Sequence, residues 1–262
     1  VSKLSLRGRL HSTKLLSNPV ARTVLSVWAW FVLGVVVIIW VPLVGAVWLV
    51  TVPFDKGRYA AGYLFRKLTV VHQVLNPLWR FRTSGITIDD PRRPYIVVAN
   101  HQSFVDILLI SHLPWEMKWL SKIDFFRYPL VGWLMRMAGD IPLVRGERDS
   151  AKKAMDECRD RLNKRVSVMI FAEGTRSATG ELQPFKNGAF RLALETGVPI
   201  LPLAVNGAYN ALVKGDWRFG VCDAEVRVLE PIETKDMDPS EFGALRDLVH
   251  ARIAAAVAEM RA

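Results

Sequence analysis

The sequence is poor in cysteine and histidine, and over one long stretch it has no charge at all. Its two cysteines, Cys158 and Cys222, are widely separated in a chain of 262 residues. That excludes a disulfide scaffold, a CxxC redox pair and a cysteine metal site, and reads as two ordinary thiols in a reducing compartment. No GxSxG elbow is present, so a hydrolase of the serine-elbow type is excluded. No GxxxxGK[ST] spacing is present, which excludes a Walker phosphate loop. Internal repeats and low-complexity tracts are missing too. Glycine (17) and proline (14) are too few for a fibrous chain.

The missing charge falls between Thr23 and Phe54, 32 residues without Asp, Glu, Lys or Arg. About 20 apolar residues cross a bilayer as a helix. The run is too long for one upright span and too short for two, and Pro42 divides it. Two readings stay open: one tilted span, or two helices that dip into one leaflet and return. Trp28, Trp30, Trp40 and Trp48 suit a membrane interface. The formal charge of +10 is concentrated around this run. Residues 1–22 carry +5, residues 55–94 another +5, and residues 95–262 are neutral with 22 charges of each sign. Such flanks fit an anionic lipid surface. They argue against nucleic acid, since no aromatic stacking platform accompanies them. Residues 1–65 are therefore expected to be a basic, apolar, membrane-associating helical segment, and residues 66–262 a separate α/β domain.

In that domain, apolar runs rich in β-formers alternate with amphipathic ones. Strands are expected at Tyr95–Ala99, Lys118–Leu120, Ile141–Val144, Val166–Phe171, Ile200–Val205 and Glu225–Leu229. Helices are expected at Tyr59–Arg82, Phe104–His112, Tyr128–Ala138, Ser150–Asn163, Gly188–Thr196 and Pro239–Ala262, with Ser150 as an N-cap and Gly197 as a stop. The alternation predicts an α/β fold, a mixed and largely parallel sheet flanked by helices. In such sheets ligands collect where strands end and helices begin.

Two strand ends carry chemistry. The first reads Asn100-His101-Gln102-Ser103-Phe104-Val105-Asp106. His101 and Asp106 would lie about 140° beyond a full turn from each other on a continuous helix. They can meet only if His101 sits in the loop and Asp106 one turn into the helix, with Ser103 as N-cap. A carboxylate on one imidazole nitrogen fixes the tautomer and frees the other as a base. A histidine that merely follows a strand, with Asp106 favouring the helix dipole, is the alternative. The second reads Ala172-Glu173-Gly174-Thr175-Arg176-Ser177. Glycine permits close backbone approach, and exposed N–H groups, a hydroxyl and a guanidinium suit a phosphate; a polar surface turn is the alternative. Lys186 adds a cation downstream, and Arg145 ends a short strand after Gly139 and Asp140. The other histidines, His11, His72, His112 and His250, read as surface or helix-packing residues.

At these residues the sequence resembles the glycerophospholipid acyltransferases, the bacterial 1-acyl-sn-glycerol-3-phosphate acyltransferases in particular. The matching blocks run in order: Asn100-His101 with Asp106, Gly139 to Arg145, Phe171 to Ser177, and Val198 to Leu203. The resemblance implies that His101 is the general base and Asp106 its orienting carboxylate. It implies that Arg145, Glu173, Gly174, Thr175 and Arg176 bind the phosphate and glycerol of a lysophospholipid acceptor. It also implies that Val198–Leu203 shapes the acyl side and that Lys122 assists near the thioester carbonyl. The family often has proline where this chain has Ala172. The implied activity is acyl transfer from acyl-CoA or acyl carrier protein to 1-acyl-sn-glycerol 3-phosphate, giving phosphatidic acid. Glycerol 3-phosphate, another lysophospholipid or a lyso-ornithine lipid is the alternative acceptor. No metal and no cofactor is expected beyond the acyl donor as co-substrate. The expected partners are membrane lipid and the two substrates, at the inner membrane with the site on the cytoplasmic side.

Overall fold

The computed structural model describes residues 18–262 apart from position 214, so most of the basic lead-in, His11 included, lies outside the described residues. The chain opens with helix α1, Pro19–Thr51, capped by the Asn18 side chain on the Val20 N–H. It is 33 residues of unbroken helix, about 50 Å at 1.5 Å per residue. Pro42 lies inside it. The expectation of two helices within the uncharged run is therefore corrected. Proline removes one ladder hydrogen bond, yet the helix runs on through it, with Val36, Val37 and Val44 buried before and after it. The partner is the next helix, α2, Tyr59–Leu75, which runs through residue 65, where the sequence reading divides the chain.

α1 has two unlike faces. Ser26, Ala29, Val32, Val36 and Val44 are buried against α2 and the sheet domain. The attachment continues along the helix. Arg22 donates to the Phe219 and Arg218 carbonyls at 3.0 Å each. The Ala29 carbonyl meets His72 Nε2 at 3.0 Å, and Trp40 Nε1 donates to the Leu64 carbonyl at 2.8 Å. Val20, Val24, Val27, Phe31, Val35 and Ile38 recur every three or four residues and stay exposed. A helix apolar all round has thus buried one stripe in protein and left the other uncovered.

The helix expected to reach Arg82 ends at Leu75. Pro77 cannot continue it, and the Asn76 side chain accepts from the Leu78 N–H in a turn. Strand β1, Trp79–Gly85, begins directly after that turn, with a period-2 pattern that the expected helix had covered. The other strands are β2 (Ile96–Ala99), β3 (Met117–Lys122), β4 (Ile141–Leu143), β5 (Ser167–Phe171), β6 (Ile200–Asn206) and β7 (Cys222–Val228). The remaining helices are α3 (Val105–Ile110), α4 (Val131–Ala138), α5 (Arg148–Asn163), α6 (Gly188–Thr196) and α7 (Phe242–Arg261). The sheet order is β1-β7-β6-β2-β5-β3-β4. Every pairing is parallel except β6 with β7, so the sheet is mixed and largely parallel, as expected. β2 is buried at all four residues, the signature of a parallel strand covered on both faces.

Local signals fared unevenly. Gly197 stops α6 at positive φ. Ser150 does not cap α5, which starts at Arg148 behind Glu147. Its hydroxyl instead accepts from the Val144 N–H at 2.9 Å, tying the end of β4 to the helix. His72, His112 and His250 pack as expected, His250 edge-on to Phe185. Both cysteines are buried thiols, and burial pushes Cys158 up to about 12.

One buried feature joins the helical pair to the sheet domain. Arg66 on α2 is ion-paired with Asp140 and lies 3.5 Å from Glu116, while Lys118 Nζ donates to Glu116 at 2.9 Å and to the Arg58 carbonyl at 2.8 Å. All four side chains are buried. Gly62 on α2 makes room for them, since a Cβ there would stand 2.1 Å from Glu116 Oε1.

Candidate active site

Strands β2 and β5 are parallel neighbours with Ala99 opposite Phe171. His101 and Glu173 each come two residues beyond those positions, so the register places their loops side by side at the carboxyl edge of the sheet. This is where a doubly covered parallel sheet puts its ligands.

His101 leaves the strand in a loop, and Asp106 lies in the first turn of α3. His101 Nδ1 is 2.8 Å from Asp106 Oδ2. The same carboxylate oxygen accepts from the backbone N–H of Gln102 at 2.6 Å and of Ser103 at 2.8 Å. With two backbone donors already on the same oxygen, Nδ1 is the third and carries its proton toward Asp106; in the neutral imidazole this tautomer leaves the lone pair on Nε2. Asp106 is fully buried and His101 nearly so. The imidazole is stacked flat on Phe171, with centroids 3.8 Å apart and planes 10° off parallel. Ser103 is not the expected N-cap: its hydroxyl is 3.4 Å from the Val105 N–H, and Asp106 holds the loop instead.

Glu173 binds the two loops together. Its Oε1 accepts from the His101 backbone N–H at 2.9 Å, and its Oε2 from Gln183 Nε2 at 2.7 Å. The Ser177 N–H donates to the His101 carbonyl at 2.8 Å. Burial pushes the Glu173 carboxyl up to about 7, against the lowering effect of its two donors. Gly174 has φ +73°, and a Cβ there would strike the Lys186 side chain at 2.7 Å. Lys186 therefore lies directly over that backbone, a placement only glycine allows.

Two cavities flank the histidine loop. One, about 210 Å³, is lined by Gln102, Arg176, Ser177, Tyr209, Leu212 and Val213. The other, about 160 Å³, is apolar and lies where α1, α2, α3, α4 and β3 meet. Phe104, Ile107 and Leu108 bring its wall to the residues immediately after His101. Trp119, which also lines it, tilts against Phe171 at 5.9 Å, so an aromatic chain runs from the imidazole to the apolar cavity.

Of the sequence-derived candidates, His101, Asp106, Glu173, Gly174 and Arg176 come together. Thr175 is exposed beside them, and its carbonyl lies 3.4 Å from Gln183 Nε2. Arg145 stands exposed two residues past β4 and lines neither cavity. β4 is two strands from β5, about 10 Å across the sheet. Lys122 ends β3 in an ion pair with Asp124 and lines neither cavity. The Val198–Leu203 segment also lies outside the apolar cavity: Leu201 and Leu203 are core residues of the central sheet. Sequence reasoning missed Phe171 as the stacking platform, Gln102 as a cavity wall and Gln183 as a donor to Glu173. Phe171 was legible as the last residue of a strand entering the loop; Gln183 carried no local signal. Among the described residues no group of three or more His, Cys, Asp or Glu could hold a metal ion.

A family model, Acyltransferase, matches residues 80–206, spanning β1 to β6. The human 1-acyl-sn-glycerol-3-phosphate acyltransferase alpha is 32% identical over 196 residues, 74% of this chain and 69% of the human protein. The chloroplastic 1-acyl-sn-glycerol-3-phosphate acyltransferase BAT2 of Brassica napus is 35% identical over 163 residues, 62% of this chain. The chain spans about half the length of that relative, 47%. The crystal structure of the 1-acyl-sn-glycerophosphate acyltransferase PlsC from Thermotoga maritima superposes with a TM-score of 0.77 at 27% identity, covering 93% of this chain and 97% of that one. With the histidine–aspartate pair, the glutamate loop and the sheet order all in place, this chain belongs to the acyltransferase family that contains the 1-acyl-sn-glycerol-3-phosphate acyltransferases.

Proposed function

We propose that this protein transfers a fatty acyl group from acyl-CoA or acyl carrier protein to the free hydroxyl of 1-acyl-sn-glycerol 3-phosphate, forming phosphatidic acid. The observation that carries the reading is the His101–Asp106 pair, in a loop whose Gln102 lines the polar cavity together with Arg176 and whose Phe104 lines the apolar one. In this reading Nε2 removes the hydroxyl proton as the oxygen attacks the thioester carbonyl. A C–O bond forms, the tetrahedral intermediate collapses, the C–S bond breaks, and the thiolate takes the proton back from the imidazolium. Asp106 stabilises that imidazolium without itself being protonated. General-base assistance of this kind is worth about 10²–10⁴ in rate.

Arg176, in the polar cavity, meets the acceptor phosphate. Glu173, Gly174 and Thr175 shape the loop that receives the glycerol, and Arg145 stands outside both cavities, past β4. Neither arginine has an ion-pair or hydrogen-bond partner among the described residues, which suits cations reserved for a ligand. The apolar cavity takes the acyl chain of the donor. No cofactor enters this scheme beyond the donor itself.

The uncovered apolar stripe of α1 rests on a lipid surface. Because α1 is attached to the protein along its length, this reading lays the helix along the bilayer face rather than upright through it. The basic flanks favour the anionic cytoplasmic leaflet of the inner membrane.

The test is thiol release from acyl-CoA and acyl carrier protein, with and without each acceptor. Release that depends on 1-acyl-sn-glycerol 3-phosphate is expected. Release driven only by glycerol 3-phosphate, lysophosphatidylcholine or a lyso-ornithine lipid would move the assignment to that acceptor. Release without any acceptor would remove the transferase reading.

A further inference from the structure

The loop from Ala178 to Asn187 has no helix or strand, yet one of its side chains reaches the centre of the site. Gln183 Nε2 donates to Glu173 Oε2 at 2.7 Å and lies 3.4 Å from the Thr175 carbonyl. The other oxygen of that carboxylate accepts from the His101 backbone N–H. The relay therefore runs from a loop amide, through Glu173, to the residue that carries the base.

The geometry points to Gln183 as a positioning residue of the acyl-transfer site: its side-chain amide fixes the Glu173 carboxylate against the His101 backbone and holds the Gly174–Thr175 turn in place. This assignment rests on the acyl-transfer reading above. A buried carboxylate needs donors on both oxygens to keep its orientation, and Gln183 supplies the one that β2 cannot. The charged groups around Glu173 are Asp106 from α3, which opposes its ionisation, and Lys186, seated over Gly174. His101 faces it through the backbone, and Arg176 follows it three residues along the same loop. Burial raises the carboxyl to about 7, so the loss or gain of one donor changes its ionised fraction in the working pH range.

Two substitutions at a half-buried position give opposite signs. Gln183→Met keeps the length and removes the donor. It is expected to lower kcat about tenfold at pH 7 and to move the acid limb of kcat/KM upward by about 0.5–1 pH unit. Gln183→Lys keeps a donor and adds charge, and is expected to move the same limb downward. A purely structural role predicts no such opposition. Acid limbs that stay put in both variants, or move the same way in both, overturn the assignment. If Gln183→Met fails to fold, the direction of the Gln183→Lys shift decides alone. A wild-type protein that releases no thiol with any acceptor fails the underlying reading instead. Wild-type turnover with unmoved limbs in the variants fails this one only.

Discussion

Two clusters of buried ionisable side chains stand out among the described residues, and they are paired in different ways. Arg66, Glu116, Lys118 and Asp140 pair inward, two cations with two anions, between α2 and the start of β3 and β4. His101 and Asp106 also pair, but one imidazole nitrogen is left over, at the edge where the loops open. Desolvating four charges is costly, and the mutual pairing only offsets that cost. Such a cluster fixes where the helical pair sits against the sheet. In the acyl-transfer reading proposed above, the second cluster acts through the imidazole nitrogen it leaves over. The stacked Phe171 ring, the three donors on Asp106 Oδ2 and Glu173 on the His101 backbone N–H hold that ring in place.

The sharpest way to break the comparison is to remove one member of each cluster and measure both rate and stability. His101→Ala is expected to reduce thiol release about 10²–10⁴-fold while the protein still melts cooperatively, because Asp106 keeps its two backbone donors. Near-wild-type turnover in that variant would eliminate the base. Asp140→Ala is expected to do the reverse. It takes from buried Arg66 one of its two carboxylate partners and leaves the Trp119 N–H unpaired in the interior, at a cost of about 3–5 kcal/mol in denaturant unfolding, with residual turnover in whatever remains folded. Unchanged stability there would show that the cluster does not join the two parts.

Smaller effects sharpen the picture around the His101 imidazole. Arg176→Ala is expected to raise KM for the phosphate-bearing acceptor about tenfold and leave KM for the acyl donor nearly unchanged. Equal changes in both would argue against a phosphate contact in the polar cavity. The smallest effect concerns Glu173 and pH. Its carboxyl lies at about 7 in the folded protein against an ordinary 4.5. Between those values the folded state holds a proton that the unfolded chain releases, so this group's contribution to stability falls as pH rises through the window. Glu173→Gln should flatten that part of the stability profile between pH 4.5 and 7. An unaltered slope would mean the carboxylate is better solvated than its buried position implies.

Much of this was legible in the chain itself. Six strands were legible from apolar runs, most plainly where a parallel strand covered on both faces is apolar throughout, as Ile96–Ala99 is, while β7 showed itself by alternation. β1 escaped because Trp79-Arg-Phe-Arg is an edge strand whose alternation is brief and comes directly after a helix. The motif residues were legible because His101, Glu173 and their neighbours lie at strand ends, where chain direction alone sends them to one edge. The fate of the uncharged run was not legible. Its composition sets only that it is apolar on every side. Which stripe would be covered depended on α2 arriving with Leu64 opposite Trp40 and His72 opposite Ala29.

The sequence by itself determined which residue types stand at the strand ends and in what order along the chain, because strand direction and the length of the loop that follows are local. Only the tertiary structure decided that Gln183 donates to Glu173, that Arg176 and not Arg145 lines the polar cavity, and that Leu201 and Leu203 lie in the central core and outside the apolar cavity. Each of these depends on which loops fold back beside which strands, a question of packing among residues tens of positions apart, on which local pattern carries no information.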